Sequence, residues 1–109
     1  MEISGLFRFP WWRRERRLQP RTRTPSLTLI VNHHFYPALD WSLGGCRIRT
    51  SPGAFRMGDR IEGGLDLSGF GEPGEFIAEV ARADEHGELG LRWLEITRNL
   101  FTAMVSIKI

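Results

Sequence analysis

Two short clusters of polar residues carry the side chains of this sequence that could bind a ligand. The first is Arg16-Arg17-Leu18-Gln19-Pro20-Arg21, in which an arginine pair is followed by a third arginine. Pro20 biases the preceding residue toward extended backbone, so the segment is predicted to be a stiff loop on which Arg17 and Arg21 can converge. A guanidinium offers a forked donor to guanine O6 and N7, binds phosphate bidentately and stacks on a base.

The second cluster is Asp40-Trp41-Ser42-Leu43-Gly44-Gly45. On a strand Asp40 and Ser42 point to one face and Trp41 points to the other, because the side-chain period is two. A carboxylate accepts hydrogen bonds from the Watson–Crick edge donors of guanine, and a hydroxyl serves either base or phosphate. Gly44 and Gly45 allow a sharp turn and the close approach of a ligand. Together the two clusters predict a site for a guanine nucleotide with phosphates and without a metal.

The elements that must position these clusters are mostly strands. Apolar and polar residues alternate in about six short runs, which begin near Ser26, Ala38, Cys46, Ile61, Phe76 and Leu89. His33-His34 and Pro37 are predicted to form a turn or bulge, and Asp84-Glu85-His86-Gly87 a hairpin turn. Apolar residues then recur at helical spacing from Ile96 to Ile107, which predicts an amphipathic helix over residues 97–107 with Thr97 as N-cap. The pattern predicts an all-β fold, a six-stranded antiparallel barrel with a C-terminal helix.

At these motifs the chain resembles the PilZ domain, a bacterial receptor module for the second messenger cyclic di-GMP. The family signatures R-x-x-x-R and [D/N]-x-S-x-x-G are matched by Arg17 to Arg21 and by Asp40 to Gly45. The resemblance implies that Arg17 and Arg21 grip guanine and phosphate, with Arg16 as an additional contact. It implies that Asp40 and Ser42 bind guanine from the barrel surface, and that the glycines admit the ligand.

The resemblance covers residues 13–109, comprising an arginine-rich arm over 13–24, the barrel and the helix. Residues 1–12 are predicted to be an N-terminal extension. Its adjacent Trp11 and Trp12 could be a docking patch for a partner or a staple onto the barrel, and the sequence does not decide between them.

Charge is distributed unevenly along the 109 residues. Residues 1–24 carry seven arginines against two glutamates, a net charge of +5, whereas the remainder carries eight basic and eleven acidic groups, a net charge of −3. The basic head predicts an anionic partner. The acidic body disfavours extended nucleic-acid wrapping.

Other features bear on the class of protein. The single cysteine, Cys46, excludes an internal disulfide and is predicted to be a buried small hydrophobe. No apolar run is long enough to span a bilayer and no secretory signal is visible, so a cytoplasmic protein without membrane insertion is predicted. Catalytic motifs are lacking, and His86 is the one further metal ligand at useful spacing from His33 and His34, which predicts a binding module without a metal or other cofactor.

Three functions therefore compete. The first is a cyclic di-GMP receptor whose arginine arm changes conformation and signals to a partner protein. The second is a PilZ-like interaction module without nucleotide affinity. The third is a small barrel with a basic arm that binds nucleic acid, which should show a much steeper dependence of affinity on salt.

Overall fold

The computed structural model describes residues 6–8 and 21–108, and in this part of the chain eight strands precede one helix. The elements are β1 Leu6–Arg8, β2 Leu27–Val31, β3 His34–Pro37, β4 Asp40–Ser42, β5 Gly45–Arg49, β6 Arg60–Leu67, β7 Gly74–Ala83, β8 Glu88–Thr97 and α1 Arg98–Lys108. No helix in these ranges is long and apolar enough to cross a membrane.

All strand pairs are antiparallel and form one curled sheet, a half-barrel, in the order β3-β2-β6-β7-β8-β5-β4. Strand β1 pairs with the end of β8, beyond the stretch of β8 that pairs with β5. The fold class predicted from the sequence, an all-β barrel-like domain with a C-terminal helix, is confirmed.

The core follows from the alternation of apolar residues along the strands. Leu27, Leu29 and Val31 are buried on β2, while Thr28 and Ile30 lie on the other face of that strand. Trp41, predicted to point to the face opposite Asp40, is completely buried, and Trp93 of β8 is almost completely buried. The Trp93 ring meets Phe76 of β7 edge-on, with centroids 5.8 Å apart, so the core continues without a break from β4 to β7.

The structure adds two short strands to the six that the alternation predicts. One is β1, in the stretch assigned to the extension, and the other is β3, where the prediction of a turn or bulge is wrong for His34–Pro37. The turn is confined to Asn32 and His33, which have φ values of 52° and 69° and close a tight β2–β3 hairpin. Pro37 is tolerated because β3 is an edge strand.

The helix begins one residue later than predicted. Thr97 belongs to β8, and its hydroxyl accepts the N–H of Glu75 at 2.7 Å, so it ties β8 to β7. Ile96 is buried as a strand residue, whereas Leu100 and Met104 form the buried stripe of α1. Ile96, which fits the helical spacing of apolar residues, therefore belongs to the strand that precedes the helix.

Candidate functional site

The second polar cluster forms a tight hairpin. Strands β4 and β5 pair Asp40 with Arg47, Trp41 with Cys46 and Ser42 with Gly45, which leaves only Leu43 and Gly44 in the turn. The Ser42 hydroxyl oxygen accepts the N–H of Gly44 at 3.2 Å and supports this turn. The hairpin therefore places Asp40 and Ser42 on one face, as predicted, with Trp41 in the core behind them.

Two arginines hold the Asp40 carboxylate. Arg21 Nη1 donates to Oδ1 at 2.9 Å, and Arg47 donates to Oδ2 from Nε at 2.9 Å and from Nη2 at 2.7 Å. The residues predicted from two separate motifs, Arg21 and Asp40, are thus brought into direct contact. The expectation that Asp40 lies open on the barrel surface needs refinement, because the two guanidinium groups leave only 10% of its side chain exposed.

The charge of Asp40 is set by this enclosure. Burial by itself would raise the pKa of the carboxyl, but the hydrogen bonds and positive charges of Arg47 and Arg21 outweigh burial. The pKa of Asp40 therefore lies below its ordinary value. Asp40 is an ionised acceptor whose partners are already arranged around it.

Arg21 is positioned by the backbone that follows it. Thr22 forms an isolated antiparallel bridge with Trp41, in which each N–H donates to the other residue's carbonyl oxygen at 2.8 Å. The Trp41 indole N–H also donates to the carbonyl oxygen of Pro25 at 2.8 Å. The end of the arm is thus bound to β4 one residue away from Arg21, while 44% of the Arg21 side chain remains exposed.

Arg47 is the functional candidate that the sequence analysis missed. Its guanidinium bridges Asp40 and Glu88, the latter through Nη1 at 2.6 Å, and the Glu88 carboxylate also accepts from Arg49 at 3.3 Å. The hydrogen bonds to Asp40 and Glu88, together with the negative charges of these groups, raise the pKa of Arg47 above its ordinary value, so the guanidinium stays cationic. The signal was present in the chain, because a two-residue turn at Leu43 and Gly44 puts positions 40 and 47 opposite each other.

Gly45 has a packing role of its own. A Cβ at this position would lie 1.8 Å from the carbonyl oxygen of Leu91, so β5 can approach β8 only with a glycine here. The Gly44 carbonyl oxygen accepts the backbone N–H of Trp93 at 3.0 Å, and the Trp93 indole donates to Ser42 O at 3.2 Å. That these glycines also admit a ligand stays a prediction.

A stretch of uncovered backbone at Gly90 lies next to the hairpin on the outer face of the sheet. In β8, Gly90 lies between Arg47 of β5 and Arg82 of β7 in register. A Cβ at Gly90 would meet only the Arg82 side chain, at 3.5 Å or more, so the glycine leaves bare backbone between two cations. Beside it, Arg92 forms an ion pair with Glu79, and its buried Nε makes no hydrogen bond within the described residues.

Several predicted residues lie outside the described residues, namely Arg16, Arg17, Trp11, Trp12 and residues 13–20 of the arm. Their contributions stay predictions. Within the described ranges, no group of three side chains is arranged to hold a metal ion. Cys46 is fully buried, and burial raises the pKa of its thiol, which agrees with the predicted role as a small core residue.

Comparison with known proteins identifies one relationship. The family model of the PilZ domain matches residues 13–107, which include both polar clusters, the whole β2–β8 sheet and nearly all of α1. No curated protein matches the chain.

Proposed function

The chain belongs to the PilZ domain family, and on that premise we propose that it is a cytoplasmic receptor for cyclic di-GMP that signals to a partner protein. Members of this family are binding and adaptor modules rather than enzymes. The observation that carries the proposal is the contact between Arg21 and Asp40, since one residue from each family signature meets at the same point.

The chemistry of the site suits a guanine nucleotide. Asp40, held ionised, accepts from the Watson–Crick edge donors of guanine, and Ser42 adds a hydroxyl on the same face. Arg21 supplies a forked donor for guanine or phosphate, together with Arg16 and Arg17 from the arm. Gly90 leaves uncovered backbone between Arg47 and Arg82, and Arg92 lies two residues further along the same strand.

Ligand binding requires an exchange of partners at Asp40. In the structure both carboxylate oxygens are occupied, one by Arg21 and the other by Arg47. We propose that guanine replaces Arg21, which turns to the ligand, while Arg47 keeps Asp40 ionised and in place. Arg47 is thus a positioning residue, and the arm is the element whose two states the ligand redistributes.

Isothermal titration of cyclic di-GMP at 150 mM salt, with GTP as the competing control ligand, tests this proposal. Wild-type protein should bind saturably, and Arg21→Ala should weaken binding about tenfold or more, because one bidentate arginine–guanine contact provides about 1–3 kcal/mol. Arg23→Ala is the matched control, since it removes the same charge from an exposed side chain two residues away.

Equal weakening by Arg21→Ala and Arg23→Ala would reduce the arm to a source of general positive charge. Absence of binding by the wild-type chain would overturn the receptor proposal in favour of an interaction module without nucleotide affinity. Affinity for single-stranded RNA that falls about 10³-fold or more between 50 and 200 mM salt would instead indicate nucleic-acid binding.

A further inference from the structure

A second surface lies on the outer face of the sheet, away from the hairpin of Asp40. It is an open groove of about 530 Å³ along β6 and β7, lined by Glu62, Gly63, Gly64, Gly74, Glu75 and Ile77. In register, Gly64 lies between Ile30 of β2 and Glu75 of β7, and Ile30 is paired with Phe35 of β3. Phe35, Ile30 and Gly64 therefore form an apolar strip across β3, β2 and β6, and Ile77 lies diagonally beyond it on β7, where it pairs in register with Glu62.

The side chain at the outer end of this strip is exposed. Phe35 has 69% of its surface accessible, whereas Ile30 and Ile77 are half-buried beside the groove. An accessible aromatic ring continuous with an apolar groove is the arrangement of a surface that binds another chain.

Four exposed carboxylates lie on the segments that line the groove or next to them. Glu62 and Glu75 line the groove, Asp66 follows Gly64 by two residues on β6, and Glu72 immediately precedes Pro73, another lining residue. Within residues 21–108 none of these four forms an ion pair, although Asp40, Glu79 and Glu88 on the other part of the sheet are all paired with arginine. No described residue therefore engages these carboxylates in an ion pair, although the exposed Arg60 lies two residues before Glu62 on β6.

Gly64 keeps the groove open. The atoms nearest to a Cβ at this position would be two Ile30 side-chain carbons and the Gly74 carbonyl oxygen, at 3.5–3.7 Å, which is ordinary van der Waals distance. The backbone thus has room for a side chain that the sequence does not supply. Gly63 differs, because a Cβ there would lie 2.1 Å from the Ile30 carbonyl oxygen.

We propose that this acidic groove is the docking surface for a partner protein, and that the partner contributes a basic segment with interspersed aliphatic or aromatic side chains. Arginine or lysine would pair with Glu62 and Glu75, while the apolar side chains cover Ile77, Ile30 and Phe35. The same charge repels nucleic acid and anionic lipid. The role of this surface in signalling rests on the proposed function, but its binding chemistry does not.

The test uses the full chain and a synthetic peptide in which arginine and leucine alternate. Amide shifts are followed by NMR during titration, with a glutamate–leucine peptide of equal length as control. The arginine peptide should shift the resonances of Ile30, Gly64 and Ile77, and the glutamate peptide should not. The double variant Glu62→Lys/Glu75→Lys should weaken binding about tenfold, since two attractive rim pairs become repulsive.

Two further variants separate docking from folding and from general charge. Gly64→Leu fills the groove at a position with room for a side chain and should weaken peptide binding as strongly. Glu85→Lys, on an exposed hairpin residue remote from the groove, should leave affinity within about twofold. Cyclic di-GMP titration of the double variant should match wild type, so failure of the nucleotide proposal and failure of this one are distinguishable.

Three outcomes would overturn the proposal. The first is the absence of shifts around the groove with the arginine peptide. The second is equal loss of binding in Glu85→Lys and in the double variant. The third is a wild-type dimer in solution that the double variant abolishes, since the occupant would then be a second copy of this chain.

Discussion

The outer face of the sheet has two regions that differ in whether their carboxylates form ion pairs with described residues. The basic half lies around β4, β5 and β8. There Arg21 and Arg47 form ion pairs with Asp40, and Arg92 forms one with Glu79. The acidic half, around β2, β6 and the start of β7, leaves Glu62 and Glu75 unpaired within residues 21–108. A group that is to bind the Asp40 carboxylate has to displace an arginine, whereas Glu62 and Glu75 have no ion-pair partner to lose within residues 21–108.

The glycines repeat this contrast in a second way. Each half has one glycine that a neighbouring strand requires, Gly45 or Gly63, and one that leaves open space, Gly90 or Gly64. The required glycines let neighbouring strands approach, and the permissive ones leave backbone uncovered on the outer face of the sheet.

Trp93→Ala should have the largest effect, because this side chain supports both halves through Ser42 and Phe76. We expect a loss of about 3–5 kcal/mol in the free energy of unfolding, measured by urea denaturation. An unchanged midpoint together with lost nucleotide binding would instead show that Trp93 contacts the ligand and that the two halves do not share a core.

The next largest effect is expected as a difference in unfolding free energy between alanine variants of Gly45 and Gly90. Gly45→Ala should lower the free energy of unfolding by about 3 kcal/mol, since a Cβ 1.8 Å from the Leu91 oxygen forces β5 away from β8. Gly90→Ala should stay within about 0.5 kcal/mol of wild type, measured in the same denaturation series. Equal costs for the two variants would mean that space at the backbone does not distinguish these positions.

Asp40→Asn probes the paired charges of the basic half. At pH 7 it should cost about 2 kcal/mol of unfolding free energy, because hydrogen bonds between charged groups become weaker. The folded-state pKa of Asp40 lies below its unfolded value, so the ionised group stabilises the fold above about pH 4 and this contribution is lost as pH falls through the folded-state pKa. The gap between variant and wild type should therefore narrow in acid.

Denaturation at pH 7 and at pH 3 measures that gap, and Glu85→Gln serves as an exposed control with little effect at either pH. If the difference in unfolding free energy between Asp40→Asn and wild type were the same at both pH values, the shape of the Asp40 side chain rather than its charge would account for its contribution to stability.

The smallest effect is expected in the acidic half. Glu62→Lys and Glu75→Lys should each change the free energy of unfolding by less than about 0.5 kcal/mol, because both side chains are exposed and unpaired within the described residues. Thermal denaturation checks this. A marked loss of stability in either variant would mean that the carboxylate supports the fold, and the contrast between the halves would disappear.

The buried faces of the strands are predictable from the sequence wherever apolar residues alternate with a period of two. The strict alternation through Leu27, Leu29 and Val31, and again through Leu89, Leu91 and Trp93, predicts buried faces that the structure confirms. Strand β3 escaped because His34–Pro37 contains proline and exposed residues, which are features of loops as much as of edge strands. Strand β3 forms because the chain reverses at Asn32 and His33 with positive φ values, and the alternation of apolar residues carries no information about that turn.

The site was predictable in its residue types and less so in its contacts. Proximity of Arg21 to Asp40 follows from the Thr22–Trp41 bridge, which involves backbone groups and leaves no trace in side-chain patterns. Arg47 looked like an ordinary exposed strand residue until the two-residue turn placed it opposite Asp40. Register, rather than composition, decides which arginine holds the carboxylate.

The ion pair between Arg21 and Asp40 also sets a response threshold for the proposed receptor. If a half-exposed pair of this kind is worth about 1 kcal/mol, roughly one molecule in six has Arg21 released at any moment. A nucleotide that needs the released form then shows an apparent Kd about sixfold higher than its intrinsic value. The strength of this ion pair therefore sets the apparent Kd of the proposed receptor. A change in the geometry at one carboxylate oxygen would shift the messenger concentration at which the proposed receptor responds.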